Sequence, residues 1–149
     1  YFARRNDVRA CIFRLSTVYA RPSEGNEAGF VTHYVESVKR GRPIHLPLDG
    51  LPLRDILHVD DFSRACETFI DSAHANGLYN LGGGSRNSVS LRELVGLIGR
   101  LIELEPVIID AGALPPNVPI RYVSDLTKIR EQLGWQPQVG IEEGIRSLL

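Results

Sequence analysis

Apolar side chains recur along this chain at two spacings, strand-like and helix-like, and their alternation lays out the elements. From Val8 to Val18, valine, cysteine, isoleucine, phenylalanine and leucine follow with few breaks, as in a strand buried on both faces. A loop of turn-forming residues spans Arg21–Ala28. Phe30, Val31, Tyr34, Val35 and Val38 then share one stripe of a helix running to about Arg40. Lys39 and Arg40 suit its carboxyl end, and Gly41 is placed to stop it. Pro43 to Leu53 reads as irregular or edge-strand chain, because Pro47 and Pro52 each lack an N–H. Ile56, Leu57 and Val59 form a short strand-like run. Asp60 and Asp61 follow as N-caps of a helix over about Asp61–Ala73, with Phe62, Ala65, Cys66, Phe69 and Ile70 inward.

The second half continues in the same manner. His74–Gly77 is a turn, and Leu78–Leu81 a short strand. Ser90 and Glu93 make a capping box for a helix that turns Leu91, Leu94, Val95, Ile98, Leu101 and Ile102 inward. Pro106–Asp110 is a strand candidate, Ala111–Pro119 a Gly/Pro loop, and Arg121–Val123 a short extended piece. Asp125 caps a helix bearing Leu126, Ile129 and Leu133; Gly134 ends it, and Trp135 packs where the chain turns. A last amphipathic helix over Gly140–Leu149 buries Ile141, Ile145 and Leu148. Strands alternating with helices make the fold class α/β.

Composition narrows the function more than the fold. At 149 residues the chain is long enough for one domain with a real core, and its 43% apolar content is ordinary for a globular protein. A net charge of −1 gives no electrostatic reason to expect nucleic acid or an anionic membrane as partner. No apolar run approaches the ~20 residues of a membrane span. Cys11 and Cys66 lie within apolar patterns, as core thiols of a reducing cytoplasm do. His33, His45, His58 and His74 lack metal-ligand spacing, so no metal is expected. The chain begins at Tyr1 and contains no methionine, from which it reads as a fragment or a truncated product.

Chemistry concentrates at Arg54-Asp55-Ile56-Leu57-His58-Val59-Asp60-Asp61. Arg54 stands at the mouth of a strand-to-helix connection, where a guanidinium is able to clamp a phosphate bidentately. The same spacing also fits an ordinary ion pair of Arg54 with Asp55 or Asp60, worth roughly 0–1 kcal/mol. Gly82-Gly83-Gly84 lacks the spacing of a dinucleotide-binding loop and reads as a strand end.

Several stretches in order resemble the extended short-chain dehydrogenase/reductases, the NAD-dependent epimerase/dehydratase family of nucleotide-sugar enzymes. They are Arg14–Ala20, Pro43–Asp61 with its Asp49-Gly50, Arg54-Asp55 and Val59-Asp60-Asp61, Tyr79–Gly84, and Asp125–Pro137 with its Leu133-Gly134-Trp135. Gly29-Phe30-Val31, Asn87–Leu91 and Ser16-Thr17 look most like CDP-tyvelose (CDP-paratose) 2-epimerases. The resemblance implies the C-terminal, substrate-binding portion of such an enzyme. It would be a single unit, 1–149, interleaved with the last Rossmann elements over about 8–20 and 55–84. It implies NAD or NADP as cofactor of the longer parent, a nucleotide-sugar substrate, homo-oligomeric assembly and a cytoplasmic location. No bound cofactor is expected for this chain alone.

Carried over position by position, the resemblance assigns Thr17 to the sugar nucleotide, Arg54 to its diphosphate, and His45 and Pro47 to the base. Leu15 and Ser16 fall on the cofactor side. Pro47 departs from the family pattern, having neither an N–H nor an aromatic ring. The family's second phosphate arginine is missing near Pro115–Val118, and Arg121 is the nearest substitute. No catalytic residue is expected here, because the family's Tyr-Lys pair has no match; Tyr1 and Arg5 only echo its spacing, and arginine does not give up its proton. The rival reading is a non-catalytic binding or scaffold protein that kept the fold.

Overall fold

The structure is a computed structural model that describes residues 8–21, 29–74 and 76–149. The readings of Tyr1–Arg4 as a helix tail, Asn6-Asp7 as a turn and most of the Arg21–Ala28 loop lie outside the described residues, as does the Tyr1–Arg5 spacing.

The apolar run at the start is two strands, not one. β1 (Ala10–Leu15) pairs in parallel with β5 (Asn76–Leu81), whereas β2 (Thr17–Tyr19) pairs in parallel with β4 (Leu53–His58). The switch happens at Ser16. Its N–H still reaches the Leu81 carbonyl at 2.9 Å, while Thr17 already stands opposite Ile56. One continuous hydrophobic stretch thus serves two sheets.

β4 is the hub. Its first half also carries β6 (Ser88–Ser90), antiparallel, and β8 (Arg121–Tyr122), parallel. Its two faces feed two separate cores. Ile56 joins Tyr19, the α1 helix (Phe30–Lys39) and the α3 helix (Leu91–Ile102); Leu57 joins α2 (Val59–Asp71), β5, α4 (Thr127–Leu133) and Trp135. A third pair, β3 (Ile44–Leu46) with β7 (Ile108–Asp110), is parallel, and α5 (Ile141–Arg146) closes the first core through Ile145. Pro43–Leu53 therefore contains a true strand, followed by a 3-10 turn over Pro47–Gly50.

Helix ends follow local chemistry. Gly41, at φ +59°, ends α1 in a Schellman arrangement, with Gly41 N–H to Val38 and Arg42 N–H to Ser37. The Ser90–Glu93 capping box opens α3 as expected. At α2 the expectation fails. The N-cap is His58, whose Nδ1 accepts from the Asp60 N–H at 3.3 Å, and Asp60 and Asp61 already lie in the first turn. Ile70, expected inward, is 64% exposed. The carboxyl end of α2 is held by Arg9, which donates to the carbonyls of Phe69, Ile70, Ser72 and His74 at 2.8–3.1 Å. Asp125 accepts from the Thr127 N–H at 2.9 Å and so tethers the start of α4 from two residues upstream.

Candidate functional site

Side chains alternate along β4, and this alternation builds the site. Arg54, Ile56 and His58 share one face with Thr17 and Tyr19 of β2, Val89 of β6 and Tyr122 of β8. Thr17 stands opposite Ile56, one pleat from Arg54, so the two residues assigned to the sugar nucleotide lie on the same face. Arg54 is not in an ion pair with Asp55 or Asp60. Its Nη1 donates to the carbonyls of Leu53 at 2.8 Å and Ile120 at 3.2 Å, and both contacts run through that one nitrogen. A guanidinium has five donors, and among the described residues Nε and Nη2 have no hydrogen-bond partner and no carboxylate neutralises the charge. Tyr34 of α1 is buried close enough to feel that charge: burial pushes its phenol up and the Arg54 guanidinium partly offsets the shift. Its place in the α1 apolar stripe gave Tyr34 the look of a core residue only.

Asp55 faces the other way and is wholly buried. Its Oδ2 accepts from the Gly84 N–H at 3.0 Å and the Ser124 N–H at 3.2 Å, tying three segments together beneath Arg54. Asp55 Oδ1 and Ser16 Oγ are buried without a hydrogen-bond partner among the described residues. A Cβ at Gly82 would meet Asp55, Ser124 and Ser16, and one at Gly83 would collide with the Ile56 carbonyl. Asp61 is the second buried clamp. It accepts from the Gln138 and Val139 N–H groups at 2.8 and 3.0 Å, pairs with Arg64, and its own carbonyl receives the Trp135 indole N–H. Asp55 within β4 and Asp61 beyond its end are thus structural straps, which local spacing did not reveal.

The remaining assigned residues are less united. His45 is exposed on β3, and Pro47 is half-buried at the start of the 3-10 turn that follows it; neither lies on β4. That turn puts Leu48 and Asp49 at φ 48° and 54°, held by Asp110 and Arg92, which bond the Asp49 N–H and carbonyl. Arg121 stands opposite Leu53 and therefore on the other face of the sheet from Arg54. The structure does not bring the two arginines together, because residue 122, not 121, shares the Arg54 face.

Leu15 is exposed at the carboxyl end of β1, and the Ser16 hydroxyl is buried. In the glycine run the Gly84 N–H is taken by Asp55, and Gly82-Gly83-Gly84 lacks the spacing of a dinucleotide-binding loop. The described residues do not fit a complete dinucleotide site.

Residues 1–82, more than half of the chain, match the model of the NAD dependent epimerase/dehydratase family. The chain belongs to that family. Among its relatives, dTDP-glucose 4,6-dehydratase of Streptomyces griseus is 32% identical over 120 residues, 77% of this chain and 34% of that protein. CDP-paratose 2-epimerase of Salmonella typhi is 25% identical over an alignment covering 99% of this chain and 46% of the relative. The crystal structure of UDP-glucose 4-epimerase from Thermotoga maritima with UDP-glucose superposes with a TM-score of 0.81 at 31% identity, over 99% of this chain and 46% of that one. The chain spans less than half the length of each of these epimerase/dehydratase relatives. No helix among the described residues is long and apolar enough to cross a membrane.

Proposed function

We propose that this chain is the nucleotide-sugar-holding portion of an NAD-dependent nucleotide-sugar epimerase or dehydratase, with Arg54 on the diphosphate. The observation that carries the reading is the state of Arg54. Its guanidinium is anchored through Nη1 by two carbonyls, faces no carboxylate among the described residues, and shares a sheet face with Thr17. An arginine positioned by neutral groups keeps its charge for a ligand, and its planar fork matches phosphate oxygens.

In this proposal Thr17 contacts the sugar nucleotide, and His45 with Pro47 borders the base. Arg121, on the opposite face, is not given the diphosphate. Leu15 supplies an apolar contact at the strand end, where open α/β sheets take their ligands. NAD would accept and return hydride in the whole enzyme, and no step is assigned to it on the residues described. The relatives act on CDP-, dTDP- and UDP-sugars by their names, and the reading takes nucleotide-sugar as the substrate class. The free thiols Cys11 and Cys66 suit a cytoplasmic enzyme. Homo-oligomeric assembly is part of the same reading.

The experiment is a calorimetric titration of CDP-, UDP- and dTDP-sugars into the wild type, Arg54→Ala and Arg54→Lys. Arg54→Ala should lose about 1.5–3 kcal/mol of binding, a tenfold to hundredfold weaker Kd. Arg54→Lys should recover only part of it, keeping charge but not the fork. Melting should fall by no more than about 1 kcal/mol equivalent, for the strap to Ile120. In Arg54→Ala the Tyr34 phenol should titrate still higher than in the wild type, since the charge that offsets its burial is gone. Unchanged affinity with lowered melting temperature would make Arg54 a structural residue and refute the assignment.

A further inference from the structure

A cavity of about 270 Å³ opens between the 83–86 turn, the 123–127 segment and Gln136-Pro137. It lies on the Asp55 side of β4, away from the Arg54 face, and nothing in the nucleotide-sugar reading uses it. Arg86 and Arg130 are among its lining residues, together with Ser85, Ser124 and Thr127. Asp125 is the one carboxylate in that lining. Hydrogen bonds from the Thr127 N–H and hydroxyl hold its carboxyl below the usual range, and the Arg130 charge adds to the effect. The lining therefore carries a net positive charge, with Asp125 already committed to the start of α4.

The walls are fixed before any ligand arrives. One Asp55 oxygen takes the N–H groups of Gly84 and Ser124, which belong to two different walls. Asp61 holds the third wall just past Pro137 through Gln138 and Val139. Gly84, at φ +62°, packs against Leu126 in a backbone conformation that a side chain would strain. Two buried carboxylates thus act as struts for a basic hollow, and preorganised walls lower the cost of ligand binding.

We propose that this hollow is a binding site for a phosphate group, either inorganic or carried as a monoester on a small molecule. Two arginines in a lining of net positive charge suit its charge and its oxygens. The site is smaller than the 300–1,000 Å³ common for drug-sized ligands, which suits a phosphate with at most a short carbon skeleton. The proposal stands apart from the Arg54 reading, because the two sites lie on opposite faces of β4.

The test titrates inorganic phosphate and glycerol 3-phosphate into the wild type, Arg86→Gln, Arg130→Gln and, as control, Arg54→Ala, followed by amide chemical shifts. Saturable binding is expected, with shift changes centred on residues 83–86 and 123–127. Each of Arg86→Gln and Arg130→Gln should weaken it tenfold or more, while Arg54→Ala leaves it unchanged. Affinity should rise from pH 6 to pH 8 as the second phosphate proton, with a pKa of about 6 in a monoester, is lost. Equal binding of both probes assigns recognition to the phosphate itself; preference for glycerol 3-phosphate assigns part of it to the carried molecule. The proposal is overturned if neither probe saturates, if shifts centre on Thr17 and Arg54, or if both arginine variants bind like the wild type. Arg86 and Arg130 are exposed, and matching melting curves confirm that their variants are folded.

Discussion

Asp61 is completely buried, and both of its carboxylate oxygens accept backbone N–H groups from residues 138 and 139, whereas Asp60 points its side chain into solvent. Two adjacent aspartates that look alike as helix caps therefore have different roles. Asp61→Ala would leave two N–H donors without an acceptor and Arg64 without its partner, a loss of about 3–5 kcal/mol. For a chain of this size that is a drop of roughly 6–20 °C in Tm, against about 1 kcal/mol or less for Asp60→Ala. Equal effects of the two substitutions in a melting experiment would show that the strap is not made. The position of Arg54 at the strand mouth was legible, because a charged residue before an apolar run stands out. The roles of Asp55 and Asp61 were not, since their donors lie 29 to 78 residues away and leave no local trace.

Ser90 shows how much an element's own sequence says. Its hydroxyl accepts from the Glu93 N–H at 3.2 Å, and Glu93 Oε2 accepts from the Ser90 N–H at 2.9 Å. Ser90→Ala should cost about 1 kcal/mol and lower the urea midpoint without altering the m-value; Ser90→Gly should cost only a few tenths. A midpoint unchanged in both would mean that α3 is held by burial alone. Such caps, with the stops at Gly41 and Gly134, were legible because they depend on three or four neighbouring residues. Strand partners were not. Val8–Val18 looked like one strand because burial on both faces gives the same run of residues whichever neighbour it meets. β6 was hidden inside the approach to α3, where Ser88 to Ser90 reads as cap chemistry. His58 displaced the aspartates as N-cap because its ring also reaches Ser147 at 3.2 Å, a contact across the fold.

At the level of the molecule, the α/β alternation was visible and the division into two cores by β4 was not, since that depends on which face of one strand each helix covers. The same division isolates the β1–β5 pair at the rim. Among the described residues β1 pairs only with β5, so its second edge presents N–H and C=O groups to no strand. One face of the pair is covered through Phe13 and Tyr79, but on the other Ile12 is 63% exposed opposite Leu78 at 40%. An open edge beside an apolar face is where sheets add strands. This chain on its own is therefore expected to self-associate, its sedimentation coefficient rising with concentration as β1 edges meet. Ile12→Lys places a charge on that face and should shift the distribution towards monomer, with little change in melting because Ile12 contributes to neither core. The decisive comparison is sedimentation velocity of wild type and Ile12→Lys over a hundredfold range of concentration. A wild-type chain that stays a compact monomer throughout, or a variant that associates as strongly as the wild type, would show that the β1 edge and the Ile12–Leu78 face are not sticky.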